Sequence, residues 1–215
     1  MGRTLISEAL VLKTYDIGNA DRLCVLLIAS LGRTIVTAKG VRKLSTKWSS
    51  ALQSFQHIRV HLAEHSSGLY LRSAESLSSC LGIRKDIERF TLASRGSEIL
   101  LCLLHGTEPN ASLFALAREY FDCCDGEEGR LSLLFPSFLL MLLAELGLLP
   151  SFEEGRPERT PALQAYLCSQ KSLRERADTS LSKEDRWVLT TLCTELLQDH
   201  LSFPLRSGSV SVSRD

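Results

Sequence analysis

The residues best suited to act on a ligand lie in one short stretch. In Arg33-Thr34-Ile35-Val36-Thr37-Ala38-Lys39, strand alternation sets Arg33, Thr37 and Lys39 on one face and Val36 with Ala38 on the other. Gly40 follows, where the backbone can turn sharply; Arg42, Lys43 and Lys47 carry the positive charge onward, and the Trp48 ring stands close by. Cations neutralise phosphates, a glycine leaves backbone amides open to approach, and an aromatic face takes an unstacked base. A groove that tracks a single-stranded nucleic acid needs all three. From charge alone, the same run reads as a solvated basic loop. A second pair lies further on, where Leu69 and Leu71 face one way and leave Tyr70 beside Arg72 on the other, a ring and a cation for one nucleotide.

Other chemistry has little footing. The chain has no Walker-type phosphate loop, Gly-x-Ser-x-Gly elbow, His-Glu-x-x-His or Cys-x-x-Cys. His57, His61 and His65 recur every four residues, which on a helix would suggest metal ligands, but the surrounding alternation is that of a strand. There, residues four apart stand roughly 13 Å from each other, too far to share an ion. A hydrolase built on one of these histidines and a nearby serine lacks a visible geometry. The expectation is therefore a protein that is not an enzyme and needs neither a cofactor nor a metal.

The elements that must position these residues change character along the chain. Five strands fit at about 5–15, 22–30, 33–39, 55–63 and 69–76, rich in Val, Ile, Leu and Thr. Turn signals at Ile17-Gly18-Asn19, Leu31-Gly32 and Ser66-Ser67-Gly68 separate them, and a longer gap around Trp48 to Leu52 has room for a short helix. This plan resembles an OB fold. From Leu81-Gly82 onward the period is helical: Ile83, Ile87 and Phe90 share a face, and Asn110 is placed to cap a helix carrying Leu113, Leu116, Tyr120 and Phe121. The apolar run 131–149 reads as a buried central helix rather than a membrane span, because Pro136 and Glu145 interrupt it and basic flanks are missing. A helix over 161–176 precedes one beginning at Ser182, whose Ser-x-x-Asp pattern with Asp185 is that of a capping box. Its inner face is marked by Leu189, Leu192, Leu196 and His200. The fold class is α+β, a five-stranded OB-type barrel over 1–80 followed by an all-α helical domain over 81–215.

Charge supports this division. With 25 basic and 25 acidic residues the formal net charge is zero, which taken alone argues against a nucleic-acid binder. Up to Gly82, however, ten Lys and Arg face five Asp and Glu, so the front carries +5 and the remainder −5. The seven cysteines are odd in number and lack paired spacing, which suits a reducing cytoplasm. Zero net charge also leaves open a protein-interaction adaptor whose barrel binds no DNA, and an OB groove does not by itself separate RNA from DNA.

These residues resemble the RecO family of bacterial DNA repair proteins. The family's N-terminal pattern has its counterparts in Tyr15, Gly32, Lys39-Gly40-Val41-Arg42-Lys43 and Leu52-Gln53-Ser54-Phe55. Thr46 stands where the family usually has Ser, and Ser54 where it usually has Pro. Further on, 135–148 followed by Leu149-Pro150 is similar to the family's apolar helix, and His200-Leu201 with Pro204-Leu205-Arg206-Ser207 to its C-terminal signature. Many relatives carry a four-cysteine zinc site just after that proline; 151–161 contains no cysteine, so zinc is not carried over. The resemblance implies a cytoplasmic, nucleoid-associated recombination mediator that binds single-stranded DNA and anneals complementary strands. It also implies work with RecR, contact with the acidic C-terminal tail of the single-stranded DNA-binding protein, and help in loading RecA, with no membrane partner. On this reading Arg33, Lys39, Gly40, Arg42, Lys43, Lys47, Trp48, Tyr70 and Arg72 form the DNA-binding set.

Overall fold

A computed structural model of the chain describes residues 4–43, 48–65, 68–78, 80–106, 108–126, 131–150 and 160–201. Its first part is a closed five-stranded barrel. Strands β1 (Thr4–Ile17), β2 (Asp21–Ile28), β3 (Gly32–Ala38), β4 (His57–His65) and β5 (Gly68–Ser76) close in the order β1-β2-β3-β5-β4. Every pairing is antiparallel except the seam between β3 and β5, where a single parallel pair, Thr37 with Tyr70, shuts the barrel. A short 3-10 turn, Ser49–Ala51, lies between β3 and β4, where the sequence leaves room for a helix. This is the expected OB-type plan.

Alternation explains the interior. Ala9, Val11, Cys24, Leu26, Ile28, Val36, Ala38, Ile58, Val60, Leu62 and Leu71 form one buried cluster, as inward positions of a small barrel must. Two strands carry an extra residue. Leu12 is skipped between Val11 and Lys13 in the pairing of β1 with β2, and Arg72 is skipped in the pairing of β5 with β4. Each bulge resets which side of the strand its neighbours occupy.

By its internal contacts the chain divides into two compact units, Met1–Leu81 with Leu100–Arg118, and Gly82–Ile99 with Glu119–Asp215. In the first unit the outer row His57, Leu10, Leu27 and Arg33 is covered as well as the interior. The two middle residues are buried, the His57 ring meets Phe114 edge-on at 6.2 Å, and Arg33 Nη1 donates to the Leu101 carbonyl at 3.0 Å. Gly32, at φ +71, lies so close to the backbone of Glu108 that a Cβ there would stand 2.4 Å from the carbonyl oxygen.

Seven α-helices are present among the described residues: α1 (Leu81–Lys85), α2 (Ile87–Leu103), α3 (Ala111–Asp125), α4 (Leu134–Glu145), α5 (Pro161–Leu167), α6 (Leu173–Ala177) and α7 (Lys183–His200). The single helical face expected from Ile83 through Phe90 does not form. The Asp86 carboxylate accepts from the amides of Glu88 and Arg89 and starts a new helix, which leaves Ile87 81% exposed while Ile83 is buried in α1. Asn110 caps α3 as expected, accepting from Leu113 N at 2.8 Å. The apolar run becomes α4, buried on nearly every side, and no described helix is long and apolar enough to cross a membrane.

The expected helix over 161–176 is two helices. Ser172 and Glu175 satisfy each other's backbone amides in a reciprocal capping box that restarts the chain as α6. Ser182 caps α7 by accepting from Asp185 N, but the Asp185 carboxylate turns to the hydroxyls of Thr160 and Ser182. On α7 the fully buried inward residues are Leu189 and Cys193, with Leu192 only half-buried. In the second unit Tyr120 stacks on Phe138 at 4.1 Å and donates its hydroxyl to the Leu92 carbonyl at 2.6 Å. Residues 66–67, 127–130, 151–159 and 202–215, which hold part of the third barrel turn, the loop after α3, the Pro-rich connection and the C-terminal signature, lie outside the described residues.

Candidate nucleic-acid interface

Register decides which of the nine candidate residues meet. Because Thr37 pairs with Tyr70, the strand end that carries Lys39 lies beside the start of β5. Lys39 Nζ sits over the Tyr70 ring, 4.4 Å from its centroid, at the distance where the ring's electron-rich face attracts a cation. His65, across the β4–β5 turn, meets the same ring edge-on at 5.3 Å. Arg72, the bulged residue of β5, faces outward as its alternation with Leu71 implies, and its Nη2 comes within 3.5 Å of His65 Nε2. Lys39, Tyr70, His65 and Arg72 thus form one chain of contacts on the outer wall of the seam, a cation over the aromatic ring and a second cation reached through the histidine.

Most of the other described candidates are committed elsewhere. Arg42 Nε stands 3.5 Å from Asp16 Oδ2, its Nη1 donates to the Gly18 carbonyl and its backbone amide to that of Ala20. The same Asp16 accepts from Arg22 Nε at 2.8 Å, and that bond holds the Asp16 carboxyl below the usual carboxylate range. Two arginines therefore share one carboxylate, and part of the Arg42 charge is already balanced. Gly40, at φ +66, has the backbone that its sequence position implies, yet its amide is not open as expected: it donates to Asp21 Oδ1 at 2.7 Å. Lys43 is exposed, with its amide on the Gly40 carbonyl. Arg33 lies on the expected outer face, but its guanidinium serves the Leu101 carbonyl. Trp48 packs partly against the barrel core, so its ring is structural more than free for a base. Lys47 lies outside the described residues.

His65 and Asp16 are the members that sequence reasoning missed. Asp16 meets Arg22 across the β1–β2 hairpin and His65 meets Tyr70 across the β4–β5 turn, contacts that depend on the register of each hairpin. The three strand histidines stand apart as the alternation requires: His57 bonds Glu8 Oε2 at 2.9 Å while His65 joins the Tyr70 group. No group of three His, Cys, Asp or Glu among the described residues is arranged to hold a metal ion.

The fold defines a class first: an OB-type barrel, cationic and aromatic along its seam, followed in the chain by a helical domain. Residues 1–80 match the family described as Recombination protein O N terminal and residues 84–192 the one described as Recombination protein O C terminal. The DNA repair protein RecO of Myxococcus xanthus (strain DK1622) is 30% identical, with 93% of each chain covered. That of Nocardioides sp. (strain ATCC BAA-499 / JS614) is 33% identical over 68% of this chain and 61% of its own, and that of Syntrophobacter fumaroxidans (strain DSM 10017 / MPOB) 29% identical over 70% and 60%. The chain thus spans nearly all of one relative and about three fifths of the other two. It belongs to the RecO family, and this places it in DNA repair and recombination.

Proposed function

We propose that the protein is a non-enzymatic recombination mediator that holds single-stranded DNA on the outer wall of its barrel, anneals complementary strands and, with RecR, helps load RecA onto DNA coated by the single-stranded DNA-binding protein. The observation that carries this reading is the group at the seam: Lys39 over the Tyr70 ring, His65 against its edge, and Arg72 beside that histidine. A ring stacks any base because every base has a π face, and cations in the same group take the neighbouring phosphates. Lys43 and the unbalanced part of Arg42 extend the field beside it; Lys47 belongs to the same stretch of sequence. Annealing follows, since a protein that partly neutralises two strands reduces their repulsion.

In this reading 1–80 carries the DNA surface and 81–215 the surface for protein partners. Those are RecR and the acidic C-terminal tail of the single-stranded DNA-binding protein. The work takes place in the cytoplasm, at the nucleoid.

Fluorescence anisotropy with a labelled single-stranded oligonucleotide over a range of salt tests the reading. Affinity should fall steeply with salt, and Lys39→Ala with Arg72→Ala should flatten the log–log slope by roughly 0.7 for each phosphate contact removed. One finding favours the adaptor reading instead: of the expected cations, Arg33 donates to a carbonyl within the chain and Arg42 is partly balanced by Asp16. Binding that is absent, or indifferent to salt and to both substitutions, would decide for it.

A further inference from the structure

The register draws a longer line than the group at the seam. Tyr15 pairs with Leu23, Leu23 with Thr37, and Thr37 with Tyr70. These four side chains therefore lie in one row across β1, β2, β3 and β5. All face outward, because the residues that alternate with them, Cys24, Val36 and Leu71, belong to the interior. The Leu12 bulge is what turns Tyr15 to this side: without the extra residue, Lys13 and Tyr15 would share the inward parity of Ala9 and Val11.

The two ends of the row are alike. Lys13 Nζ lies over the Tyr15 ring, 5.3 Å from its centroid, as Lys39 Nζ lies over Tyr70 at 4.4 Å. Tyr15 is 48% exposed. The adjoining outer row, Lys13, Val25 and Ile35, adds a β-branched side chain that is 54% exposed in the middle of the sheet face. Between the two rings this face is half-buried at Leu23 and Thr37, buried at Val25 and open at Ile35; bounded at each end by an aromatic ring with an ammonium group above it, it suits a ligand with flat apolar faces and regularly spaced negative charge. Neighbouring strands stand about 4.8 Å apart, so three steps separate the rings by roughly 14 Å along the sheet. The ends also lie next to the β1–β2 and β4–β5 turns, the two turns that border the ligand face of OB barrels.

We propose that Tyr15, with Lys13, is a second base-stacking platform, and that a single nucleic-acid strand crosses β1, β2, β3 and β5 with one base on Tyr15 and another on Tyr70. This rests on the single-strand reading given above and adds to it a direction and a second anchor. In the free protein each ammonium covers its ring. When a base takes the ring, the lysine is displaced only as far as the adjoining phosphate, so the apolar face and the charge are both used.

Anisotropy on the full chain with a labelled oligothymidylate measures the effect. Tyr15→Ala should weaken binding by roughly fivefold to a hundredfold, the range for a lost base–aromatic stack, with the salt slope unchanged. Tyr15→Phe should bind as the unsubstituted chain does, and Lys13→Gln should lower the salt slope by roughly 0.7. In a Tyr15→Trp variant the added emission should be quenched by the oligonucleotide. Unchanged affinity for Tyr15→Ala beside a loss for Tyr70→Ala, or an unquenched Trp in a variant that still binds, overturns the second platform. Failure of the unsubstituted chain to bind any single strand overturns the reading beneath it.

Discussion

Asp16 governs how much of the Arg42 charge an approaching phosphate meets. The carboxylate is half-exposed and bridges two guanidiniums, so it competes with any anion for both. Asp16→Asn keeps the shape, removes that competition and should strengthen single-strand binding several-fold at low salt, an increase that anisotropy would register. The pH dependence has a definite sign. The folded carboxyl titrates below its ordinary value, so the bridge is intact at neutral pH and is lost only as pH falls through that lowered value. Unsubstituted protein and Asp16→Asn should therefore converge in affinity only in acid. That Lys39, Arg42 and Lys43 bear charge is plain from the sequence. That Arg42 is shared with Asp16 is not, because the two residues approach only after the turn at Gly18 folds beneath Arg42.

Strand positions were legible because alternation is a local property: Val36 and Ala38 went in, Thr37 and Lys39 out, and the boundaries moved by only one or two residues. Bulges were not, since one extra residue leaves no mark until the partner strand is known. Tyr15 owes its outward direction to such a residue. Helix breaks failed to show for a similar reason. Asp86 and Ser172 look like ordinary polar positions within an apolar period, and only the amides they cap reveal that the chain restarts there.

Gly32 was legible as a turn but not as a point of close approach. Its positive φ costs an L-residue about 1–2 kcal/mol. A methyl group would in addition press on the Glu108 carbonyl. Gly32→Ala should thus lower the urea midpoint by at least that equivalent, and a midpoint equal to that of the unsubstituted chain would contradict the contact.

At the scale of the molecule, zero net charge hides a basic front and an acidic back, and the asymmetry told more than the sum. The order of barrel and helices was equally open to sequence reasoning, because a period of two gives way to a period of 3.6 near Leu81. Where the first folding unit ends was not. Leu10 and Leu27 are apolar, buried residues on the outer side of strands, and nothing local announces that; the residues on either side of them in the row, His57 and Arg33, meet Leu100–Arg118, beyond a stretch of chain that belongs to the other unit.

This discontinuity bears on how the protein can be dissected. A fragment cut after residue 80 keeps every strand and the whole seam but loses the segment whose Phe114 and Leu101 contact His57 and Arg33. Leu10 and Leu27, each contributing roughly 1.5–3 kcal/mol when withdrawn from water, would return to it. Such a fragment should bind a hydrophobic dye and sediment as aggregates, and a monodisperse, dye-silent product would refute the arrangement. For anyone trimming the gene, the surface proposed to hold DNA and the stretch needed to fold it have different ends.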